Sequence, residues 1–126
     1  MKKILIIDDD VDIIELMKNR LQQHGYEVAS SNDGDSGVQK AVHFLPDLII
    51  MDVMMPNLSG GEAVKLLKSN TITQHIPIIF FTALATSLSD DTELPQINVH
   101  GQLYPALSKP FDPNKLLSAI KSLLGE

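Results

Sequence analysis

LIIMDVMMPNLSG, residues 48–60, is four apolar residues, an acid and then a loop. Leu48 to Met51 is apolar at every position and too short for a helix. A strand covered on both faces has to look like this. It stops at Asp52, and Met55-Pro56-Asn57-Leu58-Ser59-Gly60-Gly61 carries turn and loop chemistry. The same pattern stands near the start, where Ile4 to Ile7 runs into Asp8-Asp9-Asp10. Two buried strands that each end in acid make the strand ends the place to look for function.

Helical patterns fill the intervals. Asp10 is placed to cap a helix that buries Ile14, Met17 and Leu21, and Gly25 stops it. Glu27 to Ser31 reads as a polar strand, suited to an edge. Asn32-Asp33-Gly34 is a turn. Val38, Ala41, Val42 and Leu45 mark a second helix that Pro46 ends. Ala63, Val64, Leu66 and Leu67 mark a third. Pro77 opens a fourth strand, Ile78 to Phe81, ending at Thr82. Leu103 to Ser108 reads as a fifth, ending at Lys109. Asp112-Pro113 then opens a helix with Leu116, Leu117, Ile120 and Leu124 on its apolar face. Ala85 to Gln102 has weak periodicity and an internal Pro95. It is expected to be mostly irregular, with room for about two helical turns from Ser87 or Ser89.

Strands alternating with helices predict an α/β fold: a three-layer sandwich around a five-stranded parallel sheet. The common order is 2-1-3-4-5, as in flavodoxin-like folds, here with an atypical fourth helix region. Ligands then bind beyond the carboxyl ends of the strands.

Composition narrows the function. One domain, 1–126, accounts for the length. Ten Lys+Arg against sixteen Asp+Glu give a net charge of −6. That argues against direct nucleic-acid binding or an anionic membrane. With no Cys, disulfides, thiolate metal sites and Cys nucleophiles are excluded. No apolar stretch is long enough to span a membrane, and a cytoplasmic protein is expected. His24, His43, His75 and His100 lack ligand spacing. The sequence ends at Glu126, directly after the last helix. Either it acts alone by binding partners, or it is a piece of a longer protein.

The predicted sheet brings Asp8, Asp9, Asp52, Thr82 and Lys109 to one edge. Crowded carboxylates repel, and a divalent cation removes the conflict. Oxygen ligands alone favour Mg²⁺. A partly hydrated Mg²⁺ beside an ammonium and a hydroxyl suits phosphoryl chemistry, and an Asp there can act as the nucleophile.

At this point the chain resembles the response regulator receiver domains of two-component signalling. The matching pieces are ILIIDD (4–9), LIIMDVMMPNLSG (48–60), Phe81-Thr82-Ala83 and Lys109-Pro110-Phe111. The resemblance implies that Asp52 is the phosphoacceptor and a metal ligand. Asp9 would bind Mg²⁺ directly, Asp8 would assist, and Met54 would offer its backbone carbonyl. Thr82 would hydrogen-bond the phosphoryl group, with the Ala83 amide nearby, and Lys109 would pair with a phosphoryl oxygen. The Lys109-Pro110 peptide would be cis. The donor would be a sensor histidine kinase or a phosphotransfer protein. A downstream protein partner would read the fourth helix, fifth strand and fifth helix. Such a protein is a switch, not an enzyme, and a monomer or weak dimer.

Two features depart from the family pattern. Many receivers carry an aromatic residue three positions before the strand-end Lys, where this chain has Ala106. Tyr104, two residues earlier, falls on the same strand face and is a candidate to take over its role. Thr82 and Lys109 stand 27 positions apart, several more than usual, with the excess near Pro95 to Gln102.

Three other classes compete. A haloacid-dehalogenase-like phosphatase would use Asp8-Asp9-Asp10 as its D-x-D, but leaves Asp52 unexplained. A flavodoxin-like FMN binder would place three acids against a phosphate. A receiver-shaped module that is never phosphorylated would not need the full set of Asp, Thr and Lys.

Overall fold

The computed structural model describes residues 1–53, 55, 58–82, 96–108 and 112–126. Their elements run β1 (Lys3–Ile7), α1 (Val11–Gln23), β2 (Glu27–Ser31), α2 (Gly34–Phe44), β3 (Leu48–Met51), α3 (Gly60–Lys68), β4 (Ile78–Thr82), β5 (Gln96–Val99), β6 (Gln102–Ser108) and α4 (Pro113–Leu124). They form a single sheet in the order β2-β1-β3-β4-β6-β5. The first five strands of that order are mutually parallel, and β5 lies antiparallel to β6 at the edge.

The central strands are apolar throughout because each face has its own cover. Ile4, Ile6, Leu48, Ile50, Ile79 and Phe81 point into one core with Met17 and Leu21 of α1 and Leu116 and Ile120 of α4. Leu5, Ile7, Ile49, Met51, Ile78 and Phe80 point into the other, with Ala41 of α2 and Val64 and Leu67 of α3. Alternation along each strand feeds the two cores in turn. Each fully buried Ile or Leu contributes about 1.5–3 kcal/mol by leaving water.

The helix starts follow the capping residues. Asp10 accepts from the amides of Asp12 (3.0 Å) and Ile13 (3.3 Å), Asp33 from Ser36 (2.9 Å), and Asp112 from Asn114 (3.0 Å) and Lys115 (3.3 Å). Ser59 and Glu62 close a reciprocal capping box at α3. Pro113 sits in the first turn of α4, where its missing amide costs nothing.

The expected five-stranded, all-parallel sheet is corrected by β5. Gln96 to Val99 is a strand, not irregular chain, and it pairs with the segment expected to be the last strand. The reason is local. His100 (φ 53°) and Gly101 (φ 82°) both take left-handed backbone and close a two-residue hairpin. That turn has the twist antiparallel strands need. The excess length after Thr82 thus partly builds an edge hairpin. A helix from Ser87 or Ser89 falls outside the described residues.

Candidate functional site

β1 and β3 lie side by side in register, Ile7 opposite Met51. The next residue of each, Asp8 and Asp52, therefore emerges at the same height on the carboxyl edge. Asp52 N–H donates to the Ile7 carbonyl at 2.9 Å, and Asp8 N–H to the Ser31 carbonyl at 3.1 Å. The ladder thus continues past the strands and fixes both backbones. Asp8 is 1% exposed and Asp52 6%, while Asp9 faces solvent. One carboxylate oxygen from each of the three lies within 4.8 Å of the others.

The three consecutive acids divide their work. Asp8 Oδ1 accepts from the Asp10 amide at 2.9 Å, which turns the chain out of the sheet. Asp10 then points away and caps α1. Asp8 and Asp9 join Asp52. Three carboxylates this close, two of them withdrawn from water, repel unless a cation lies between them. An all-oxygen donor set with one side open to solvent fits Mg²⁺, which keeps several waters and takes one or two carboxylates. The residues present therefore fit that ion.

The loop after Asp52 returns directly beneath it. Gly60 N–H donates to the Val53 carbonyl at 2.8 Å. A Cβ on Gly60 would stand 2.5 Å from the Asp52 carbonyl oxygen and 2.9 Å from Val53 Cα. Both neighbours are backbone, so only glycine permits this approach. By sequence Gly60 reads as a loop residue. It is a support of the site, and the only signal was a glycine at a helix start.

Thr82 closes β4, opposite Ser108 of β6 in a parallel register that continues the β1–β3 pattern. Its backbone therefore ends on the same edge as the acids. The expectations for the Thr82 hydroxyl, Met54, Ala83, Lys109 and the Lys109-Pro110 peptide lie outside the described residues and side chains.

Tyr104 and Ala106 share a face of β6 and are both buried, as alternation requires. The Tyr104 ring meets Phe80 edge-on, with centroids 5.6 Å apart. Its hydroxyl donates to Gln102 Oε1 at 3.1 Å. Burial pushes the phenol pKa upward. The Phe80 ring in turn borders Gly60. A continuous packed path thus runs from the Asp52 backbone to the edge hairpin. His100 Nε2 adds a second link, bonding the Gly61 carbonyl at 3.0 Å.

This arrangement defines a receiver domain. The chain belongs to the response regulator receiver domain family, whose model matches residues 4–121. It is 33% identical over 124 residues to the alkaline phosphatase synthesis transcriptional regulatory protein PhoP of Bacillus subtilis, covering 98% of this chain and 48% of that protein. It is 32% identical over 125 residues to the polar-differentiation response regulator DivK of Brucella anthropi, covering 99% of this chain and 98% of that one. The chain spans about half the length of the first of these and nearly all of the second. Among solved structures, the response regulator TrrA of Thermotoga maritima, in complex with Mg²⁺-BeF, superposes with a TM-score of 0.79. It is 30% identical, covering 98% of this chain and 99% of that one. The acidic trio is thus the cluster of a two-component receiver. Among the described residues, no helix is long and apolar enough to cross a membrane.

Proposed function

We propose that the protein is a phosphorylation switch with Asp52 as phosphoacceptor. The observation that carries this reading is the meeting of Asp8, Asp9 and Asp52 within 4.8 Å at two adjacent strand ends. A carboxylate oxygen of Asp52 attacks the phosphorus of a phosphohistidine on a sensor kinase or phosphotransfer protein. The P–N bond breaks and its electron pair leaves with the imidazole. The acyl phosphate then persists on Asp52 until water hydrolyses it. Mg²⁺, when bound, supplies charge neutralisation for the phosphoryl oxygens. Asp9 and Asp52 would hold that ion, with Asp8 assisting and the Met54 carbonyl as a further oxygen. Thr82 donates a hydrogen bond to the phosphoryl group, and Lys109 pairs with one of its oxygens. These last three roles rest on family motifs.

The output is a change of partner, not turnover of a substrate. Phosphorylation draws Thr82 inward and shifts an existing equilibrium of the face formed by β6, α4 and the segment before β5. Tyr104 takes the place of the aromatic residue that Ala106 lacks, because its ring already lies on the path from Gly60 through Phe80. Residues 1–126 act in this way as one receiver domain, in the cytoplasm.

Incubation with acetyl phosphate and Mg²⁺ tests the assignment. The native protein gains one phosphoryl mass, and Asp52→Asn gains none. Equal gain in both removes Asp52 from its role. If Tyr104→Ala leaves phosphorylation-dependent partner binding unchanged, the part given to Tyr104 fails.

A further inference from the structure

The β5–β6 hairpin lies over the first turn of α3. His100 Nε2 donates to the Gly61 carbonyl at 3.0 Å, and a Cβ on Gly61 would stand 3.6 Å from Val99 Cγ1. Between helix and hairpin runs a groove of about 530 Å³. α3 contributes Val64, Lys65 and Lys68 to it, and the hairpin contributes Val99, His100 and Tyr104. Val64 and Tyr104 are buried and Val99 is half-buried, whereas Lys65 and His100 are exposed. The groove therefore has an apolar floor and a basic rim, and none of its lining residues is Asp or Glu.

Lys65 and Lys68 stand three positions apart, on one face of the helix. Among the described residues neither pairs with a carboxylate. Glu62, one turn before Lys65, is held in the capping box with Ser59. Lys68 Nζ donates to the carbonyls of Gln74 at 2.9 Å and Ile76 at 3.3 Å, which uses two of its three donors. Burial lowers the Lys68 pKa, a cost that a neighbouring anion offsets.

We infer that this groove binds an extended acidic segment of a partner protein, with carboxylates on Lys65 and Lys68 and aliphatic side chains on Val64, Val99 and Tyr104. The occupant follows from charge. A chain of net charge −6 repels acidic partners over most of its surface, and here two ammonium groups line one cavity with no acid beside them. The floor selects a peptide over a simple dianion, which would leave Val64, Val99 and the Tyr104 ring uncovered. In an extended chain alternate side chains point to opposite sides, so acids alternating with aliphatic residues serve rim and floor at once. Binding needs no phosphoryl group on Asp52, so it stands apart from the phosphoacceptor assignment.

Amide NMR of the native protein, titrated with the blocked pentapeptide Glu-Leu-Glu-Leu-Glu to about 5 mM, reads binding in the range of weak sites. Saturable shifts should gather at residues 64–69 and 99–104. Lys65→Glu, at an exposed position, should weaken binding at least about tenfold. Lys121→Glu makes the same charge change on α4 and should bind within about twofold of the native chain. Absence of saturable shifts at these residues overturns the inference. So does equal affinity for Gln-Leu-Gln-Leu-Gln, which reduces the contact to apolar burial. Equal affinity for succinate makes the groove a small-anion site and overturns the peptide. Equal losses in Lys65→Glu and Lys121→Glu reduce the effect to net charge and overturn it as well.

Discussion

β1 and β3 differ from β5 and β6 in nearly every physical respect. The first pair is buried on both faces, parallel, and ends in acids. The second is antiparallel, half-buried and free of charge from end to end. Each is suited to a different task. A strand locked between two cores cannot shift, so the carboxylates at its end hold their spacing. The hairpin is half-buried along β5, and β6 joins both cores only toward its end, through Tyr104 and Ala106 on one face and Leu107 on the other. The middle of the sheet holds the carboxylates, and the rim is its less buried part.

The contrast should be measurable as stability. Ile6→Ala in β1 removes a fully buried side chain and should cost about 2–5 kcal/mol in urea denaturation. Leu103→Ser on β6 should stay within about 0.5 kcal/mol. Similar losses would erase the distinction. Gly60→Ala should cost about 1–3 kcal/mol by forcing backbone apart beneath Asp52. It should also weaken Mg²⁺ binding, which Leu103→Ser should not. A smaller effect concerns the join between the two regions. Tyr104→Phe deletes the hydrogen bond to Gln102 and should cost about 0.5–1.5 kcal/mol.

A pH test probes the opposite end of the sheet. Burial, together with the Glu126 carboxylate that accepts its hydrogen bond at 3.0 Å, raises the Tyr26 pKa from 10.0 to about 12. The folded state therefore keeps a proton that the unfolded chain releases. The associated stability is complete below pH 10 and is lost as pH rises toward about 12. Native protein should lose stability across that window more steeply than Tyr26→Phe. Parallel curves would refute the assignment.

The legibility of the sequence followed the same division. Continuous apolar runs at Ile4–Ile7 and Leu48–Met51, four residues long and each ended by an acid, fit doubly covered strands. Their terminal acids are therefore placed together by the sequence alone. Caps at Asp10 and Asp112 were readable because side-chain oxygen must satisfy the first amides of a helix. β5 was not readable with the same ease. Its four residues alternate weakly, and its turn uses His100 where Asn or Asp before Gly is the usual signal. The nearness of Gly60 to Asp52 depends on how the loop returns, which no local pattern encodes. Only the motifs speak for the Thr82 hydroxyl, Met54 and Lys109.

Mg²⁺ titration followed by amide NMR shifts tests the central claim most directly. The native protein should show saturable shifts at residues 8–10, 52 and 53, and both Asp9→Asn and Asp52→Asn should weaken binding while remaining folded. Unchanged affinity in either variant, or no shift at these residues, would contradict a shared metal site at the ends of β1 and β3.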